Sequence, residues 1–107
     1  MKVSEFLIEA KSVISKRENW AQGYYARDSN GVGVESMSGR ATCFCSLGAI
    51  EVVRFRHRGM LPGDLSWKAT YQLERYMGSV PKFNDSNSHE VVMAKWDEVI
   101  RIVEASE

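Results

Sequence analysis

No excess charge of either sign runs through this chain: Lys and Arg total 14, and Asp and Glu total 14, over 107 residues. A protein that lives on phosphate backbones presents a broad positive field, so nucleic acid is a disfavoured partner, leaving only a local basic patch open. Cysteine is limited to Cys43 and Cys45. One residue apart, they do not staple a fold, no disulfide framework is implied, and a reducing compartment keeps them as thiols. No apolar run approaches the length of a membrane span, and Glu5 and Glu9 interrupt the region where a signal peptide would be apolar. A cytoplasmic protein with no membrane partner is expected. Repeats and low-complexity tracts are missing too. A chain of this length buries enough apolar surface to fold without staples, so residues 1–107 are expected to form a single domain.

What is there is hydrophobic periodicity. Val3, Phe6, Leu7, Ala10, Val13 and Ile14 recur at helical spacing and predict a first helix over about Ser4–Arg17. Gly23–Asp28 and Val32–Glu35, separated by Ser29-Asn30-Gly31, read as a small β-hairpin. Ser36 to Arg40 reads as a loop. From Thr42 to His57 nearly every position is apolar, which predicts a central helix buried on most sides and stopped by Gly59 and Pro62-Gly63. Asp64 is the expected N-cap of a third helix carrying Leu65, Ala69, Leu73, Tyr76 and Met77, closed by Gly78. Val92, Trp96, Val99, Ile100 and Val103 mark the last helix, with Asn87 and Glu90 spaced as a capping box. The fold class is mainly α: about four helices around a buried central helix, with a hairpin after the first.

Three short blocks stand in order: Trp20-Ala21-Gln22-Gly23-Tyr24-Tyr25-Ala26-Arg27-Asp28, Cys45-Ser46-Leu47-Gly48-Ala49 and Phe83-Asn84-Asp85. Their order and spacing resemble a family of small bacterial and phage proteins of unknown function. The resemblance spans roughly residues 20–100. It implies a mostly helical domain in a phage, prophage or bacterial cytoplasm, and brings no activity with it.

Among residues that carry chemistry, Cys45 comes first. A thiolate is the reactive form, and the first turn of a helix favours negative charge. Gln22 would then donate to an oxyanion, His89 or His57 would act as base, and Asn84 or Asp85 would orient the imidazole, as in cysteine hydrolases and transferases. Against this, cysteine is among the most buried residue types, and Gly48-Ala49 beside it suits close helix packing. A metal site is not expected unless Cys43 lies before the helix: on a helix Cys43 and Cys45 would point about 200° apart. No cofactor is indicated. Arg54, Arg56 and Arg58, with Arg40 and Lys68 and the aromatics Trp67 and Tyr71, would suit a phosphate or nucleotide only if they shared a face, which their spacing does not provide. A helix-turn-helix over Glu51–Met77 would need a shorter turn, free of Pro62.

Trp20, Gln22, Arg27 and Asp28 flank the hairpin, and Asn84 and Asp85 precede the last helix. Together they are the candidate binding residues. Asp28 also suits capping of the turn backbone, and Asn84-Asp85 suits loop ordering. The leading expectation is a small non-catalytic module that binds another protein. An accessory or counter-defence role follows from the resemblance and the size. The alternatives are a cysteine-dependent hydrolase or transferase using Cys45, Gln22 and His89, and a small-ligand or nucleotide-binding module.

Overall fold

The computed structural model describes residues 1–107. Five helices follow one another as α1 (Val3–Val13), α2 (Ser46–Arg56), α3 (Leu65–Met77), α4 (Val80–Ser86) and α5 (His89–Ala105). Between α1 and α2 lie a 3-10 turn at Arg17–Asn19 and three two-residue strands: β1 (Ala26–Arg27), β2 (Gly33–Val34) and β3 (Cys43–Phe44). The sheet is antiparallel with β1 in the middle, Ala26 facing Val34 on one side and Phe44 on the other.

The mainly helical class and the hairpin after α1 match expectation. Several boundaries do not. Helix α1 ends at Val13 rather than near Arg17. The Ser15 hydroxyl donates to the Lys11 carbonyl at 2.9 Å, and the Ile14 N–H takes that same carbonyl at 3.0 Å, so the last turn tightens instead of continuing. Thr42-Cys43-Phe44 is not the start of the central helix. Thr42 N–H donates to the Arg27 carbonyl (2.9 Å) and Cys45 N–H to the Tyr25 carbonyl (3.1 Å), so this stretch is a third strand on the free edge of β1. Helix α2 therefore begins at Ser46, with Cys45 as its N-cap.

Nor is α2 buried on most sides. Ala49, Ile50 and Val53 face the core, while Arg54, Phe55 and Arg56 are exposed. The segment after Gly78, to which the sequence pattern assigns no helix, forms α4. Ser79 caps it by accepting from Lys82 N–H at 3.3 Å, and Pro81 sits in its first turn. The expected Asn87–Glu90 capping box does not form: Ser88 is the N-cap of α5 and accepts from Val91 N–H at 3.3 Å, and Val91 at the third position has no group to return the bond.

Seventeen buried residues form one hydrophobic cluster drawn from all five helices. Phe6, Leu7, Ala10 and Ile14 of the α1 segment meet Ala49 and Val53 of α2, Leu73 of α3 and Val92, Trp96 and Val99 of α5. Trp96 is fully buried and is the largest side chain in the core, so truncating it to Ala would cost about 3–5 kcal/mol. No helix is long and apolar enough to cross a membrane.

Candidate functional site

The start of α2 is fixed by a residue far away in sequence. Asn84, on α4 and fully buried, accepts through Oδ1 from the Trp20 indole (2.9 Å), the Ser46 backbone N–H (3.1 Å) and the Ser46 hydroxyl (2.9 Å). Its Nδ2 donates to the Ala21 carbonyl and to Asp85 Oδ1, both at 3.0 Å. Ser46 Oγ in turn accepts from the Trp96 indole at 3.1 Å. The carboxamide thus uses both its acceptor and its donors, which is the condition for a polar group to be buried without penalty. Trp20, Asn84, Ser46 and Trp96 form a closed network that joins the hairpin approach, α4, α2 and α5.

The other sequence candidates are also held in hydrogen bonds. The Gln22 amide donates to the carbonyls of Asn84 (3.1 Å), Asp85 (3.2 Å) and Asn87 (3.0 Å), covering the C-terminal end of α4 where carbonyls lack helical partners. Arg27 donates to the Gln22 carbonyl through Nε (3.0 Å) and Nη2 (2.8 Å), and to the Gly31 carbonyl through Nη1 (2.7 Å). Asp28 Oδ1 accepts from Asn30 and Val32 N–H groups at 2.9 and 3.0 Å, closing the turn as an Asx turn does. His89 Nε2 bonds the Ile14 carbonyl at 2.7 Å, and its ring leans on Trp20 with centroids 5.3 Å apart. His57 Nε2 sits 2.9 Å from Glu9 of α1, with Arg56 3.4 Å from the same carboxylate. Arg58 folds over Phe55 and borders one depression with Arg54 and His57, while Arg56 turns to Glu9, so two of the three arginines meet and the third does not. No three His, Cys, Asp or Glu side chains group as metal ligands.

Cys45 and Asp85 are brought together. With Gly23, Tyr24, Tyr25, Leu47 and Pro81 they line a cleft of about 380 Å³. Neither imidazole is among the lining residues. The thiol is buried, and its Sγ accepts from Gly48 N–H at 3.3 Å, the N-cap bond of α2. Burial pushes the Cys45 pKa up, and the Asp85 charge adds to that. Backbone donors at Gly48 and Leu47 pull it down without reversing the shift. The group is therefore a neutral thiol at pH 7, the less nucleophilic form. Trp20, Gln22, Arg27 and Cys43 border a different depression, of about 320 Å³.

Residues 1–102 match a family model. The chain belongs to DUF6197, a family of unknown function. No curated protein and no solved structure matches it. Membership in DUF6197 thus covers the chain beyond the three sequence blocks at both ends, and assigns no chemistry to any of its residues.

Two tyrosines of the first sequence block, neither among the candidate residues, also border the cleft. Tyr24 lies flat against Gly33, where a Cβ would come within 2.4 Å of its ring, and the Arg27 guanidinium sits 4.7 Å above it. Tyr25 is half exposed, at 50%, while its backbone carbonyl is pressed onto α2: a Cβ at Gly48 would stand 2.1 Å from that oxygen. What Gly48 admits is the hairpin backbone, not another helix. Tyr25 borders the cleft and two further depressions, one with Leu47, Arg54, Trp67 and Thr70 (about 370 Å³), the other with Glu35, Ser36, Met37 and Glu51 (about 310 Å³). All three share Tyr25 as a wall. Consecutive aromatics ahead of the strand were the only sequence signal.

Proposed function

We propose that this protein is a small non-catalytic interaction module of phage or bacterial origin that binds a segment of a partner protein in the groove around Tyr25. The observation that carries the reading is half-exposed Tyr25, a wall of three depressions, on a backbone pinned to α2. Held tyrosines supply large contact area at little entropic cost, and aromatic residues are enriched where proteins meet. Tyr24, clamped by Arg27 and Gly33, and the exposed stacked pair Trp67 and Tyr71 (centroids 6.0 Å apart) extend the same kind of surface. An accessory or counter-defence role extends this reading and rests on the resemblance and the size.

The hydrolase reading finds little to support it. Gln22, His89 and Asn84 are each engaged in hydrogen bonds that order the fold, and the Cys45 thiol is held protonated with no imidazole on its cleft. Selection of random displayed peptides against the folded protein tests the proposal. Enriched peptides are expected to lose binding to a Tyr25→Ala variant of unchanged circular dichroism and to keep it with Met60→Ala, since Met60 lines none of the three depressions. Enrichment of no peptide that depends on Tyr25 would overturn it.

A further inference from the structure

The geometry points to a phosphate-binding site in the depression of about 170 Å³ between the end of α2 and the start of α3, with Arg54, Arg58 and Ser66 as its donors. It is independent of the partner segment proposed for the groove, because a phosphate held here needs no peptide.

Two arginines and His57 border this depression, and no carboxylate does. Neither Arg54 nor Arg58 enters an ion pair of the fold. Arg58 is held in place: its guanidinium carbon lies 3.9 Å from the centre of the Phe55 ring, and Nη1 donates to the Phe55 carbonyl at 3.0 Å. The remaining N–H groups of its fork are left for a ligand. Arg56 lies outside the depression and meets Glu9 at 3.4 Å, the carboxylate that His57 Nε2 also takes at 2.9 Å.

The backbone supplies a second set of donors. Gly59, Gly63 and Ser66 border the depression, and their N–H groups reach no backbone carbonyl. Ser66 stands in the first turn of the 13-residue α3, where unpaired N–H groups and the helix dipole favour an anion. Asp64, the N-cap residue, is not a wall, and Lys68 answers its charge at 3.3 Å. On the α2 side, the carbonyls of Val53, Phe55 and His57 already accept from the N–H groups of His57, Arg58 and Met60, which blunts the negative pole of that helix.

A phosphate fits these donors better than a carboxylate does. A phosphomonoester carries about −1.5 to −2 charges at pH 7 and three acceptor oxygens, which suits two guanidiniums without partners; a carboxylate brings a single charge and two oxygens. Arg54 and Ser66 are also walls of the depression that Trp67 and Tyr25 border, where an organic substituent on the phosphate would lie. Glu51 borders that neighbouring depression and forms no ion pair with Arg54.

The test is an amide NMR titration of the full chain with phenyl phosphate and with inorganic phosphate, at constant ionic strength and above the second phosphate pKa of about 6. Saturable shifts are expected at Arg58, Gly59, Gly63 and Ser66. Affinity should fall about fivefold in Arg54→Gln and in Arg58→Gln, on the scale of an exposed ion pair. It should stay unchanged in Arg56→Gln, which removes the same charge outside the depression. Tighter binding of phenyl phosphate assigns an esterified ligand and equal binding a free phosphate, and either supports the site. No saturable shift, shifts centred elsewhere, or an equal loss in Arg56→Gln would overturn it.

Discussion

Asn84 holds the first residue of α2 from outside the helix, its Oδ1 accepting both the backbone N–H of Ser46 at 3.1 Å and the Ser46 hydroxyl at 2.9 Å. A helix start normally finds its acceptors in its own N-cap residue, and here the Cys45 thiol faces the N–H groups of Gly48 and Leu47 but not that of Ser46. The Ser46 N–H is met by a carboxamide 38 residues further along. That bond fixes α4 against α2 and so sets Asp85 and Pro81 opposite Cys45 and Leu47 across the cleft.

Replacing Asn84 with Ala would leave the Trp20 indole, the Ser46 N–H and the Ala21 carbonyl without their partners. The expected loss is about 3 kcal/mol of unfolding free energy, read from urea denaturation, because each buried orphan carries a desolvation cost. A loss under about 1 kcal/mol would mean that water or a rearranged side chain replaces the carboxamide.

Gly48→Ala tests the contact between the hairpin and α2. The added Cβ would meet the Tyr25 carbonyl oxygen at 2.1 Å and its carbon at 3.1 Å, both backbone atoms that do not swing aside. Thermal unfolding should show a loss of about 2–3 kcal/mol, despite the better helix propensity of alanine. The Tyr25 resonances should shift with it.

Three of the five helices were legible from periodicity, and the reason is length. Helices α1, α3 and α5 carry 11, 13 and 17 residues with one apolar face each, enough turns for the pattern to declare itself. Helix α4 has seven residues, mostly polar, and its signals were local ones: Ser79 before Pro81. Strand β3 was read as helix because its pairing partner is β1, and an apolar run next to a helix does not say which residues find a strand edge. Asn84, Gln22 and Asp28 were visible as unusual polar residues. Their roles depend on which carbonyls and N–H groups the fold brings to them, information carried by no single segment. Tyr25 was missed for the same reason, since its three depressions take walls from the hairpin, the loop after β2, α2, α3 and α4.

Cys45 gives the pH dependence. Its thiol pKa is raised in the folded protein, so the unfolded chain loses this proton first as pH climbs. Stability from this group is complete below the ordinary thiol pKa and falls as pH rises through the alkaline range toward the folded value. Urea midpoints for the native chain should drop more steeply above pH 8 than those of Cys45→Ser, whose hydroxyl keeps the cap without titrating there. Native iodoacetamide labelling at Cys45 should be slower than that of a free thiol and accelerate on unfolding. Rapid native labelling at neutral pH would reverse the assignment and restore the nucleophile.

Removing the Gln22 amide exposes the C-terminal end of α4. Gln22→Ala should cost about 1 kcal/mol, with faster hydrogen exchange confined to α4 and the residues linking it to α5. Exchange in α4 unchanged by the substitution would mean that the amide does not hold that end of the helix.

The most direct measurement of the interaction reading is amide NMR of the full chain with a peptide selected against it. Shifts clustering at Tyr24, Tyr25, Leu47, Glu51 and Asp85, and vanishing in Tyr25→Ala while the spectrum stays folded, are the expected result. Shifts confined to another face, or binding untouched by loss of the Tyr25 ring, would contradict it.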